Sequence, residues 1–255
     1  MSDLDLANAT PKDEKNWPAT PFSFQRFAIP ELVDFQGRAI YMDSDQMVFT
    51  DIAKLFDRPM WGKSILMRPK GGPEKAKNKS RSSVMLMDCN KLDWQVDNLI
   101  NEMDQNKFDY YRLVTLKFMG GKGRFPRHWN SLDHYEPGKT ALLHFTRRDT
   151  QPWIGTNHQW AHLWFNELFS AMDASEVSIA DIQTACNDGY VRPSLIWQVE
   201  NREASPHKVP TEFAEADREF LALCEASNFN NIEGNFRSNN YSSDATDKPM
   251  ENAKT

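Results

Sequence analysis

Two apolar stretches meet at a pair of acids in the segment GRAIYMDSDQMVFTDIAKLF, Gly37 to Phe56. RAIYM and QMVF read as strand segments on either side of Asp43-Ser44-Asp45. The acids therefore sit at the tip of what reads as a buried strand. Side chains alternate along an extended chain, so positions 43 and 45 point the same way. Neighbouring carboxylates repel each other, and a divalent cation between them relieves that repulsion while gaining oxygen ligands. A strand delivers such groups rigidly to its C-terminal edge, where α/β sheets hold ligands. An Asp-x-Asp tripeptide alone is common, and a solvated turn with Asp-Ser caps is the plain alternative. The apolar strand on each side favours the metal reading.

The rest of the pattern mixes strands with helices. Ser82–Asp88 reads as a buried strand and Lys139–Phe145 as another short apolar one. Leu92, Val96, Leu99, Ile100 and Met103 fall on one helical face. The segment 157–173 reads as a helix with Asn157 as N-cap and Trp160, Leu163, Trp164 and Leu168 as core. His158 and His162 stand four apart on it and share a face, without the glutamate a zinc protease motif requires. SIAD predicts a capped helix start at Ser178, and a last helix begins near Thr211. GGKG, Gly120–Gly123, lacks the spacing of a phosphate loop and reads as a mobile loop. The fold class is α/β.

Bulk properties narrow the function. The chain has 255 residues and a formal net charge of −6, which argues against a general nucleic-acid binder. Cys89, Cys186 and Cys224 form neither a disulfide framework nor a zinc motif, so a reducing, cytoplasmic setting is expected. No apolar run is long enough to span a bilayer, and the N-terminus has no signal-peptide core. The expected organisation is a flexible leader over 1–20, a folded domain over 21–226 and a disordered tail over 227–255. The basic stretch 68–81 reads as a flexible loop, solvated or clamping an anion or lipid headgroup in peripheral contact with a membrane.

The residues around the acid pair carry a resemblance. FSFQRFAIPELVDFQGRAIYMDSDQMVFTDIAKLF, from Phe22 to Phe56, resembles the central segment of family 8 glycosyltransferases and related GT-A enzymes. The likeness rests on Arg26, Pro30-Glu31-Leu32, Tyr41, Asp43, Asp45, Val48, Asp51 and Leu55. A second landmark is LLHFTRRDTQPW, Leu142 to Trp153, similar to the family's later strand ending in His before a Lys-Pro-Trp loop. The resemblance implies a GT-A-like mixed sheet flanked by helices, with C-terminal helices over 157–226. It implies that Asp43, Asp45 and His144 hold Mn²⁺ or Mg²⁺, an imidazole completing a mixed nitrogen and oxygen site. It places Arg26, Ser44, Gln151, Trp153 and Arg147 at the nucleotide-sugar donor, and Ser83, Asp88, Trp129 and Asn130 at the sugar or acceptor.

The chain departs from the family pattern in places. Gln151 stands where the family has a phosphate-binding lysine, so Arg147 or Arg148 becomes the candidate phosphate group, with a solvated loop charge as the alternative. Ser82-Ser83 replace Asn-Ala-Gly. Only 42 residues precede Asp43, so the first nucleotide-binding strand–helix units are expected to be missing or reduced. The resemblance implies transfer of a sugar, from a UDP-sugar, to a glycan, lipid or protein acceptor with retention. A non-catalytic carbohydrate-binding relative and a metal-dependent phosphoesterase are the alternatives. Arg26 paired with Glu31 or Asp34, His144 as a core histidine and Asp88 as a solvated acid are the plain readings of those residues.

Overall fold

The computed structural model describes residues 10–18, 23–69 and 82–226. Its strands are β1 (Arg38–Met42), β2 (Gln46–Val48), β3 (Ile65–Met67), β4 (Val84–Asp88), β5 (Lys122–Arg124), β6 (Ser131–Leu132) and β7 (Leu142–His144). Its helices are α1 (Gln25–Leu32), α2 (Ala53–Phe56), α3 (Val96–Asp104), α4 (Tyr110–Val114), α5 (Ala161–Asp173), α6 (Ile179–Asn187), α7 (Ser194–Glu200) and α8 (Phe213–Ala226). The class is mixed α/β, as the sequence implies. One sheet has the order β1-β4-β3-β5 and the other β2-β7-β6. Within the first, β1 and β3 flank β4 antiparallel while β5 runs parallel to β3.

Period-two burial on both faces explains why β1, β3 and β4 of the first sheet are largely apolar. Met85 and Met87 of β4, Ile65 and Met67 of β3, and Ala39 and Tyr41 of β1 face a cluster built on α1 and α3. Val84 and Leu86, Leu66, and Ile40 and Met42 face the opposite cluster, with Phe125, Trp129 and Leu142. Both faces are covered, so neither can be polar. Each fully buried Met, Leu or Ile contributes about 1.5–3 kcal/mol against leaving it exposed. β1 lies at the edge of its sheet, and Ala39 to Met42 are half-buried, with Arg38 exposed, rather than buried as expected.

The first helices follow local rules. α3 buries Val96, Leu99, Ile100 and Met103, the face read from their spacing. α6 starts at Ser178, whose hydroxyl accepts from Asp181 N while the Asp181 carboxylate accepts from Ser178 N, a capping box. α5 begins at Ala161, not near Asn157. His158 Nδ1 accepts from Trp160 N at 3.1 Å, which holds the preceding segment out of the helix, so His158 and His162 share no helical face. Phe165 is the buried residue of α5, with Trp164 and Leu168 partly buried in the C-terminal cluster with Leu195 and Val199.

Three loop expectations change. Within GGKG, Lys122 and Gly123 belong to β5, not to a mobile loop. A Cβ on Gly123 would fall 2.4 Å from a buried Leu66 methyl, and Gly121 adopts φ 70°, so glycine is required by close approach and by backbone conformation. Residues 10–18 of the expected leader lie against the domain: Asn16 is 1% exposed and its Oδ1 accepts from Tyr110 N at 3.0 Å. Arg68 is buried, its Nε donating to Asn130 O at 2.8 Å, so the basic stretch does not begin as a solvated loop. Residues 1–9, positions 70–81 of that stretch, and the tail 227–255 lie outside the described residues.

Candidate active site

The chain crosses from one sheet to the other between Met42 and Gln46, and the acid pair lies at that crossing. Asp43 N donates to Ser83 O at 2.9 Å, a last rung on the β4 side. Phe145 N donates to Asp45 O at 3.0 Å, a first rung on the β7 side. The segment bends at Ser44 and Asp45 instead of running extended, and exposed Ser44 is the tip of the bend. Strand register then brings in the third group, because Gln46 pairs with His144. One ligand atom from each of Asp43, Asp45 and His144 lies within 4.8 Å of the others. The alternation argument thus reaches the right pair by the wrong route: a bend between sheets, not one strand, converges the carboxylates.

Each ligand group is held from behind. Asp43 Oδ1 accepts from the Tyr41 hydroxyl at 2.5 Å and from Arg26 NH2 at 3.2 Å. The Arg26 guanidinium also lies over the Tyr41 ring, 4.5 Å from its centroid, and donates to Ser82 O at 3.2 Å. Arg26 therefore pairs with Asp43 rather than with Glu31 or Asp34. Burial pushes the Asp43 carboxyl above its usual range, and the repulsion from Asp45 adds to this; Arg26, the Tyr41 hydroxyl and His144 offset only part. Burial likewise raises the Tyr41 hydroxyl, with Arg26 opposing and Asp43 reinforcing, so the phenol stays a donor. Asp45 Oδ2 accepts from Gln151 Nε2 at 3.1 Å, and the same amide donates to Phe145 O at 2.8 Å.

His144 is 2% exposed. Its Nδ1 faces Asn130 Oδ1 at 3.1 Å, Ser83 Oγ at 3.2 Å and Gln46 Nε2 at 3.2 Å. Its Nε2 faces Asp45 Oδ1 at 3.0 Å, yet among the described residues that buried oxygen has no aligned hydrogen-bond donor. Distance and alignment disagree here, and alignment decides, because a misaligned approach is a weak hydrogen bond. A buried carboxylate oxygen without a donor is costly, and a cation shared with the ring nitrogen would satisfy it. The residues present thus fit a hard divalent ion with mixed nitrogen and oxygen ligands.

The other expected site residues divide. Gln151 reaches the centre, but its amide is committed to Asp45 and Phe145. Ser83 and Asn130 are buried behind His144. Trp129 is 3% exposed and packs in the core beside Leu66 and Leu142. Trp153 packs edge-on to Phe145 and against Trp164, a structural contact. Arg147 projects outward, with its side chain 65% exposed and paired to Asp149 at 3.0 Å. Asp88 lies at the opposite end of the sheet, opposite Arg38 where Asp43 follows Met42. It pairs with Lys91 at 2.7 Å and Asn90 at 3.0 Å. Ser83 precedes β4 and Asp88 ends it, so the length of that strand holds the two apart.

Four residues of the site carry no motif. Gln46 donates to Ser83 O at 3.1 Å. Asp133 accepts from Thr146 N at 2.8 Å and from the Thr146 hydroxyl, pinning the loop after His144. Arg192, 1% exposed, donates to Pro152 O at 3.2 Å, Gly155 O at 3.3 Å and Gln198 Oε1 at 2.5 Å. It thereby fastens the Gln151 loop to α7. Arg68 holds the backbone of Asn130. These contacts span distant parts of the chain, which is why no local pattern announces them. A groove of about 620 Å³ along α3, lined by Trp94, Asn98, Asn101 and Phe118 among others, includes none of the three clustered ligands.

No family model matches the chain, and no curated protein matches it. Among solved structures, the apo form of the glycosyltransferase GlyE of Streptococcus pneumoniae TIGR4 is similar at 17% identity and a TM-score of 0.44, over 57% of this chain and 42% of that one. An active-site mutant of LgtC is similar at 14% identity and a TM-score of 0.45, over 66% of this chain and 72% of that one. The galactosyltransferase LgtC in complex with donor and acceptor sugar analogs is similar at 14% identity and a TM-score of 0.42, over 61% and 67%. The chain spans less than half the length of GlyE.

Proposed function

We propose that the chain is a metal-dependent glycosyltransferase that moves a sugar from a nucleotide-diphosphate sugar, a UDP-sugar, to a glycan, lipid or protein acceptor with retention. One observation carries the reading: Asp43, Asp45 and His144 gather at a sheet-to-sheet bend, and Asp45 Oδ1 is buried without an aligned donor. Asp43, Asp45 and His144 Nε2 would hold Mn²⁺ or Mg²⁺. Bound there, the ion supplies Lewis-acid stabilisation of charge developing on the departing diphosphate. The chain's own groups prepare the centre. Tyr41 and Arg26 hold Asp43, Gln151 holds Asp45, and Arg26 keeps a cationic face beside the acids. Retention and the UDP base come from the sequence resemblance. Among the described residues no helix is long and apolar enough to cross a membrane.

The test is thermal stabilisation across a panel of nucleoside diphosphates with Mn²⁺, comparing the wild type with Asp45→Ala. The expected result is a shift favouring uridine diphosphate that disappears in the variant. Donor hydrolysis that depends on Mn²⁺ then separates an active enzyme from a binding relative. No shift with any nucleotide, or release of phosphate from simple esters instead, overturns the proposal.

A further inference from the structure

The environment of His144 decides more than whether its ring can bind. A neutral imidazole has one donor and one acceptor nitrogen, and the hydrogen bond at one sets the role of the other. Asn130 is fully buried and directs its two polar atoms differently. Its Nδ2 donates to Ser83 Oγ at 2.9 Å, which leaves Oδ1 as the acceptor 3.1 Å from His144 Nδ1. Arg68 Nε donates to the Asn130 carbonyl at 2.8 Å and fixes the backbone from which the amide projects. On the far side of the ring, Nε2 stands 3.0 Å from Asp45 Oδ1 without making an aligned bond to it. A proton on Nε2 would be placed poorly, whereas a proton on Nδ1 has an acceptor waiting.

We propose that Asn130 is the positioning residue that sets the tautomer of His144, its Oδ1 accepting Nδ1–H so that Nε2 presents a lone pair between Asp43 and Asp45. The consequence for a cation rests on the metal reading above; the tautomer itself does not. Two groups compete: the Ser83 hydroxyl, 3.2 Å from Nδ1, which accepts from Asn130 Nδ2 and keeps a proton of its own, and the Gln46 amide. Gln46 Nε2 stands 3.2 Å from Nδ1, and as a donor it, like the Ser83 hydroxyl, would favour the opposite tautomer. That amide also donates to Ser83 O at 3.1 Å, and its Oε1 is buried without a partner. Gln46 therefore packs beside the ring at a cost, while Asn130 is matched at both polar atoms. Ligating histidines are commonly oriented through the other ring nitrogen in this way, and loss of that partner costs about 10- to 100-fold in metal affinity.

The test reads the ring directly. A proton–nitrogen correlation spectrum through two bonds distinguishes the tautomers of the six histidines, with His144 assigned by its loss in His144→Gln. In the metal-free wild type, Nδ1 is expected protonated and Nε2 bare. Asn130→Leu is expected to move the proton to Nε2. Asn130→Asp, which keeps an acceptor, and Gln46→Ala and Ser83→Ala, which each remove one competing donor, are expected to keep it on Nδ1. Electron paramagnetic resonance titration with Mn²⁺ should then show an affinity loss of about 10- to 100-fold for Asn130→Leu and recovery in Asn130→Asp. A wild-type ring protonated on Nε2, alone or with Nδ1, overturns the proposal, whatever the folding of the leucine variant. A proton that stays on Nδ1 in Asn130→Leu, or leaves it in Asn130→Asp, overturns the part given to Asn130. A wild-type ring protonated on Nδ1 that binds no Mn²⁺ upholds the tautomer and overturns the metal reading instead.

Discussion

Asp133 shows how a single carboxylate holds the loop that carries Gln151. Burial pushes its carboxyl upward, but the His158 ring, the Thr146 hydroxyl and the N–H groups of Thr146 and Arg147 outweigh it and hold the group below its ordinary range. A depressed carboxyl stabilises the fold above its unfolded pKa, and the contribution disappears as pH falls through the lower folded value. Asp133→Asn should therefore cost about 1.5–3 kcal/mol near neutral pH, the worth of hydrogen bonds to a charged acceptor. The difference from wild type should shrink as pH drops below about 3.9. Urea unfolding at both pH values measures it. An equal gap at neutral and acid pH would show that the charge is not what fastens the loop. Arg192 acts on the same loop from the other side, with its guanidinium surrounded by carbonyls and Gln198. Burial lowers it to about 10, with Asp217 opposing, so it remains a cation at neutral pH.

At the level of elements, the Gln151 loop turns on one glycine. A Cβ at Gly155 would fall 2.3 Å from Asp149 O, a backbone atom with no rotamer to yield. Gly155→Ala should displace the segment from Asp149 to Gly155 and lower stability by about 1–3 kcal/mol, in the range of overpacking. It should also break the Gln151–Asp45 contact, so Mn²⁺ affinity falls with the melting temperature. A variant that melts lower but binds Mn²⁺ unchanged would show that the loop does not support the centre. Elements governed by local rules were legible in the sequence. The Ser178 cap, the buried face of α3 and the strand before Asp43 all follow from spacing over a few residues. β5 was not, because Lys-Gly-Arg carries no apolar alternation and becomes a strand only by pairing with β3. The start of α5 was missed because a His158 ring atom claims the backbone N–H of Trp160. At the site, Asp43, Asp45 and His144 were legible from motif and resemblance. The roles of Gln46 and Arg192 depend on partners that only the fold brings near.

For the whole molecule, the proposed ion would lie where the two sheets meet. Asp43 is tied to the first sheet through Ser83, while Asp45, just before β2, is tied to the second through Phe145, and His144 ends β7. An ion bound by all three would join the sheets without adding a residue. A ligand that binds only the folded state at 100 times its dissociation constant stabilises by about 2.7 kcal/mol. For a domain of this size each kcal/mol shifts the midpoint by about 2–4 °C, so saturating Mn²⁺ should raise it by about 5–11 °C. Hydrogen exchange says where the gain falls. Amides opposite the bend, Phe145 N on Asp45 O and Asp43 N on Ser83 O, should slow together when Mn²⁺ is added. Those of α6 and α7, which pack in the separate C-terminal cluster, should change little. Asp43→Ala should abolish both the shift and the slowing. Protection confined to one sheet, with none at the other, would mean that the ion does not bridge them and that the three groups do not act as one site.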